Sequence, residues 1–118
     1  MIAFVKRSFR ALGSPVLVSI DTQRDTLDGG PLEIAGTSAA VPAISRLGAA
    51  FRASALPIIH VIRLYVGDGS NAEPIRRELV SGPTPILRPG TVGRLLAPGV
   101  LADDDTQLDD EALLGGGI

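Results

Sequence analysis

Cysteine is absent from the 118 residues, so the chain holds no disulfide, no thiolate metal site and no cysteine nucleophile. Tryptophan is missing too and aromatics make up 3%, which leaves Ala, Val, Leu and Ile to fill a core. Charge of one sign is lacking: 11 basic against 13 acidic groups leave −2, too near neutral for general attraction to nucleic acid or an anionic membrane. Neither partner is expected. No apolar stretch approaches the ~20 residues that span a bilayer, and the opening Met1-Ile-Ala-Phe-Val5 is cut short by Lys6-Arg7. Lys6, Arg7 and Arg10 stand without an acid in residues 1–14, where an ordinary arm is expected rather than a targeting peptide. A cytoplasmic location is the default.

What is present reads as a single α/β domain over residues 1–118, a length at which roughly two thirds of the unfolded surface is normally buried. The run Pro15-Val-Leu-Val-Ser-Ile20 has the pattern of a buried strand, and it delivers Asp21 at its C-terminal end, where open α/β sheets keep their chemistry. Asp28-Gly-Gly-Pro31 marks a loop. From Ser38, the spacing of Ala39, Val41, Ile44, Leu47 and Phe51 predicts a helix that fades near Ser54, capped by Thr37 or Ser38 and with Pro42 tolerable in its first turn. Pro57-Ile-Ile-His-Val-Ile62 then reads as a central strand parallel to the first, so Asp21 and Arg63 leave the sheet on one edge.

After this βαβ unit, Ala72–Val80 reads as a short helix with Pro74 near its start, its caps drawn from Gly67–Asn71, with Arg76, Arg77 and Glu78 facing water. From Ser81, Pro83, Pro85, Pro89 and Pro98 alternate with glycines and leave little room for a long element. The acidic segment 103–111 lacks the alternating ligands and central glycine of a calcium loop and reads as a solvated turn; Ala112–Leu114 before Gly115 looks like an abrupt stop. Only two strands are evident, and the open edge of the second invites pairing. The chain therefore reads as the first half of a larger domain, as truncation, a frameshift or a split gene would leave it.

At Val18-Ser-Ile-Asp21-Thr-Gln23-Arg-Asp25, with Ile58-Ile-His60-Val-Ile-Arg63 after the helix, the sequence resembles the N-terminal half of isochorismatase-like cysteine hydrolases. Arg63-Leu-Tyr65, Asp68-Gly-Ser-Asn71 and Arg76-Arg77-Glu78 resemble one branch of that family, and the likeness runs over about residues 14 to 114. The resemblance implies a three-layer α/β/α sandwich with a mostly parallel sheet, and hydrolysis of a small molecule, most often at an amide-type C–N bond. It also implies an Asp, Lys and Cys triad in which Asp21 is the general base; Gln23, Arg63 and Tyr65 are candidate substrate contacts. Some members instead cleave a vinyl ether by acid catalysis with the same Asp. Neither the family's Lys nor its Cys is represented, since Lys6 precedes the first strand, so the chain as given is expected to be inactive alone.

Metal-dependent members place an Asp-x-His pair where Arg63-Leu64-Tyr65 stands, so no metal and no cofactor is expected. Other readings stay open at each residue. Asp21 also suits an Asx turn, Gln23 packing beneath the loop, Asp25 a loop carboxylate, and His60 a satisfied core imidazole rather than a catalytic one. Besides a small-molecule substrate, the expected partners are a second copy or a chain carrying the second half. A non-catalytic half-domain that completes its sheet with another chain is the alternative function; a Rossmann-like binder ranks last for want of a phosphate loop.

Overall fold

The structure, a computed structural model, describes residues 13–109. The amino-terminal arm with Lys6 and the Ala112–Leu114 stop lie outside them. Strand β1 (Leu17–Ile20) leads through a 3-10 turn at Arg24–Thr26 to helix α1 (Thr37–Ala53), strand β2 (Ile58–Ile62) and a second 3-10 turn at Pro74–Arg76. One turn of helix follows as α2 (Arg77–Val80), then a 3-10 turn at Val92–Arg94 and strand β3 (Thr106–Asp109). The sheet is parallel throughout, in the order β1-β2-β3.

Helix α1 exists because its apolar stripe has a surface to cover. Phe51 and Ala50 pack with Ile58, Leu17 and Leu56, while Val41 and Ile44 pack on Ile62, Leu96, Ala97 and Val100. Its start differs from expectation: Gly36 is the N-cap, in the left-handed region at φ 93°, and makes no side-chain cap bond. Asp28 does that work from the preceding loop, accepting from Gly36 N at 2.9 Å and Ser38 N at 2.8 Å, and these donors hold its carboxyl below its usual range. Thr37 instead donates its hydroxyl to the carbonyls of Thr26 and Ile34. Pro42 falls one turn deeper than expected, where it forfeits an intrahelical bond.

Three further expectations are corrected. The helix over residues 72–80 is a 3-10 turn followed by one α turn, because Asn71 is drawn back to the β2 exit, accepting from Val66 N and donating to Leu64 O, and starts no helix. The acidic segment is not all solvated turn: Thr106–Asp109 forms β3, and Asp105 before it is held inside by Arg52 and His60. β2 consequently has no open edge, being central with Ile59 opposite Thr106 and Val61 opposite Leu108. Among the described residues the edge strands are β1 and β3.

The Pro/Gly-rich stretch earns its place through buried anchors. Ile86 and Leu87 join Tyr65, Ala72, Val80 and Leu32 in one cluster, and Leu96, Ala97 and Val100 form another under α1. Among the described residues no helix is long and apolar enough to cross a membrane.

Candidate active site

The C-terminal ends of β1 and β2 are tied together before any side chain is considered, since Asp21 N donates to Val61 O at 2.9 Å. Gln23 completes the tie. Its Oε1 accepts from Arg63 N at 2.8 Å, and its Nε2 donates to Arg63 O at 2.9 Å and to Arg94 O at 2.8 Å. The residue is 0% exposed and both amide hydrogens are spent on backbone, so the substrate contact expected of it gives way to the packing role beneath the loop.

Asp21 sits half-buried at this edge with φ 56°, a left-handed conformation uncommon for any residue with a Cβ and tolerated best by Asp and Asn. The Thr26 hydroxyl donates to its carbonyl at 3.1 Å and helps fix the turn. Strained backbone of this kind gathers at functional positions, which is a reason to look here for chemistry. Asp25, by contrast, is structural: its Oδ2 accepts from Leu87 N at 2.8 Å, and a Cβ on Gly93 would fall on its carboxylate.

Arg63 and Tyr65 leave β2 into a polar cluster. Arg63 Nη2 lies 3.0 Å from Glu73 Oε1, and its guanidinium stands 5.5 Å over the Tyr65 ring. Tyr65 is 1% exposed; its hydroxyl donates to Glu73 Oε2 at 2.7 Å and accepts from Arg76 Nη1 at 3.3 Å. Burial, reinforced by Glu73, pushes that phenol above its ordinary range, so Tyr65 is a neutral bridge at physiological pH. For Glu73 burial acts upward, but the Tyr65 hydroxyl, its own backbone and the two arginines outweigh it and hold the carboxyl low.

Glu73 is the member that the sequence analysis did not single out. Arg76 is half-buried against Tyr65 and does not face water as expected, whereas Arg77 and Glu78 are exposed. The available signal was Pro74, which opens a turn tight enough to place Glu73 and Arg76 on one side. An open cavity of about 470 Å³ adjoins the cluster, bordered by Leu64, Tyr65, Val66, Arg88 and Asp109; Asp21 does not border it.

His60 proves to be the satisfied core imidazole. On the face under α1, the Ser19 Oγ lies 2.6 Å from its Nδ1 and Asp105 Oδ2 lies 2.8 Å from its Nε2. Asp105 also binds the Arg52 guanidinium, at 2.6 and 3.0 Å.

The fold recurs in solved structures. An isochorismatase family protein from Desulfovibrio vulgaris is 30% identical with a TM-score of 0.74, the match covering 89% of this chain and 63% of that one. The chain has the fold of a partial isochorismatase-like domain. An isochorismatase from Pseudomonas putida is 27% identical over 92% of this chain and 59% of its own, at a TM-score of 0.59. A pyrazinamidase of Pyrococcus horikoshii, solved in complex with zinc, shares the fold at 20% identity and a TM-score of 0.67, over 81% of this chain and 51% of that one. The chain thus spans between about half and two thirds of the length of these isochorismatase-like neighbours. No protein-family model and no curated protein matches it.

The residues at the β2 exit do not fit a zinc site. Arg63, Leu64 and Tyr65 offer neither carboxylate nor imidazole at the β2 exit, and among the described residues no group of three His, Cys, Asp or Glu side chains could hold a metal.

Proposed function

We propose that this chain supplies the general-base half of a small-molecule hydrolase acting on an amide-type C–N bond, with Asp21 as the base. The observation that carries this reading is the place of Asp21: half-buried, in a left-handed turn, at the C-terminal end of a parallel strand in an isochorismatase-like fold. The fold shared with a pyrazinamidase, an amide hydrolase by its name, supports the bond type.

In this mechanism the Asp21 carboxylate takes the proton of a cysteine thiol as the thiolate attacks the amide carbon, a lysine stabilises the charges, and backbone N–H groups hold the oxyanion. Arg63, at the end of β2 beside the Asp21 strand end, meets the substrate, and the buried Tyr65 ring lies under its guanidinium. The 118 residues contain no cysteine, so the nucleophile must come from polypeptide outside them, and the chain on its own turns nothing over.

Reading the gene beyond codon 118 for a continuation with a lysine and a cysteine, then assaying the continuous protein on simple amides, tests the proposal. Asp21→Asn should lower kcat by about 10²–10⁴-fold, the usual worth of a general base. Turnover that survives the substitution sinks it.

One observation favours a second reading, a non-catalytic half-domain that completes its sheet with another chain. β1 is an edge strand of the described sheet, and Val18 and Ile20 on it, with Val16 just before it, are exposed on one face, Ile20 to 67%. A stop directly after Ile118, together with a stable complex between this chain and a neighbouring gene's product, would make this the leading account.

A further inference from the structure

We propose that the cavity beside the β2 exit is a binding site for a small monocarboxylate, with the Arg88 guanidinium holding the carboxylate and Leu64, Val66 and Pro89 holding the apolar body. Asp21 does not border this cavity, so the site stands whether or not that residue is a base.

The backbone at Arg88 is pinned on both sides. Leu87 takes φ 47°, a left-handed conformation costly for a residue with a Cβ. It is held there by Asp25 Oδ2, which accepts from its N–H at 2.8 Å, and by Tyr65 N, which donates to its carbonyl at 3.0 Å. On the other side the Thr91 N–H and hydroxyl both donate to Arg88 O, at 3.2 and 2.7 Å. The side chain is fixed in turn. Arg88 Nη2 donates to Val80 O and Gly82 O at 3.2 Å and to Gly67 O at 3.5 Å, and Gly67 lies so close that a Cβ on it would stand 3.6 Å from the guanidinium carbon.

All of these acceptors are uncharged carbonyls. Among the described residues Arg88 makes no ion pair, its Nη1 has no acceptor, and its Nε is buried without one. A buried donor left unpaired costs free energy, and a fixed guanidinium with unspent N–H groups matches the planar, singly charged carboxylate. Because the carbonyls already hold the group in place, little freedom is lost when a ligand arrives.

The cavity decides the rest of the ligand. Its volume of about 470 Å³ suits a ring-sized molecule, and Leu64, Val66, Pro89 and the Tyr65 side chain give it apolar walls, with Val66 49% exposed. Asn71 offers little to a ligand, since its amide already accepts from Val66 N and donates to Leu64 O. Asp109 borders the same cavity and limits the charge that can enter, because a phosphate dianion would meet a carboxylate as well as the arginine.

The test is an NMR titration of the 118-residue chain with benzoate, read at the amides of residues 64–67 and at the Arg88 Nε–H, beside titrations with benzyl alcohol and inorganic phosphate. Benzoate should give saturable shifts at those positions. Affinity should fall about tenfold or more in Arg88→Met, the usual worth of a hydrogen bond to a charged group, and stay unchanged in Arg77→Met, an exposed arginine that does not border the cavity. Gly67→Leu keeps Arg88 and its carbonyl partners while its side chain grows against the guanidinium; it should weaken benzoate by a similar factor, and it decides the matter if Arg88→Met does not fold. Benzoate shifts that fail to saturate, that spread away from the cavity or that survive these substitutions overturn the inference, as does equal binding of benzyl alcohol or phosphate.

Discussion

The two faces of β1 have opposite fates. Leu17 and Ser19 look toward α1, where Leu17 joins Phe51 and Ile58 and Ser19 meets His60, while Val16, Val18 and Ile20 on the other face are exposed. Alternation along a strand makes this division unavoidable. All-parallel sheets are normally covered on both faces, so a strand apolar on both sides and bare on one is built for a cover that residues 13–109 do not supply. Packing on the α1 side should therefore carry the stability of this chain, and the bare side should carry association.

The largest test of that contrast is Phe51→Ala. Phe51 is buried between α1 and β2, and its removal should lower the unfolding free energy in urea by about 3–5 kcal/mol, enough to abolish a cooperative transition in a marginal domain. A small loss would mean that α1 does not hold the sheet.

Next is Asp105→Asn, which takes the charge from a carboxylate shared by Arg52 and His60 and should cost about 2–4 kcal/mol. The pH dependence sharpens it. Arg52 donates to Asp105 and, with His60 and the Ala102 N–H, holds its carboxyl well below the ordinary carboxylate range despite burial. A carboxyl depressed in the folded state stabilises fully above its unfolded value near 3.8, and that stability fades as pH falls toward the folded value. The gap between wild type and Asp105→Asn should be constant above about pH 5 and shrink in acid. A gap that stays constant down to pH 2 would show that the charge is not what holds β3.

The smallest effect belongs to Val18→Thr on the bare face, expected within about 0.5 kcal/mol by urea unfolding. A larger change would show that this face is already covered in solution, and sedimentation of both proteins would reveal by what.

Periodicity carried much of the fold into the sequence. The runs around Val18 and Ile59, the three-to-four spacing from Val41 to Phe51 and the length of the crossover point to β1-α1-β2 with parallel strands, because burial on both faces and on one stripe leave different patterns. Asp21 was legible for the same reason, as the residue that follows the strand. β3 was not: Thr-Gln-Leu-Asp amid acids has no apolar run, and it is a strand because Asp105 is captured by Arg52 and His60 from other elements. The Glu73–Arg76 cluster was missed likewise, since its members are joined through Arg63 and Tyr65 and not through their own neighbours in sequence.

The sequence by itself determined the α/β class, the parallel pair and the absence of a cysteine nucleophile, because composition and local periodicity need no partner to be read. Only the tertiary structure decided that β2 is central, that Gln23 is a buried clasp and that Arg76 turns in to the Tyr65 hydroxyl. Those facts depend on which distant polar groups satisfy one another, and hydrogen bonds across 40 or more residues, such as those from Gln23 to Arg63 and Arg94, leave no trace in local pattern.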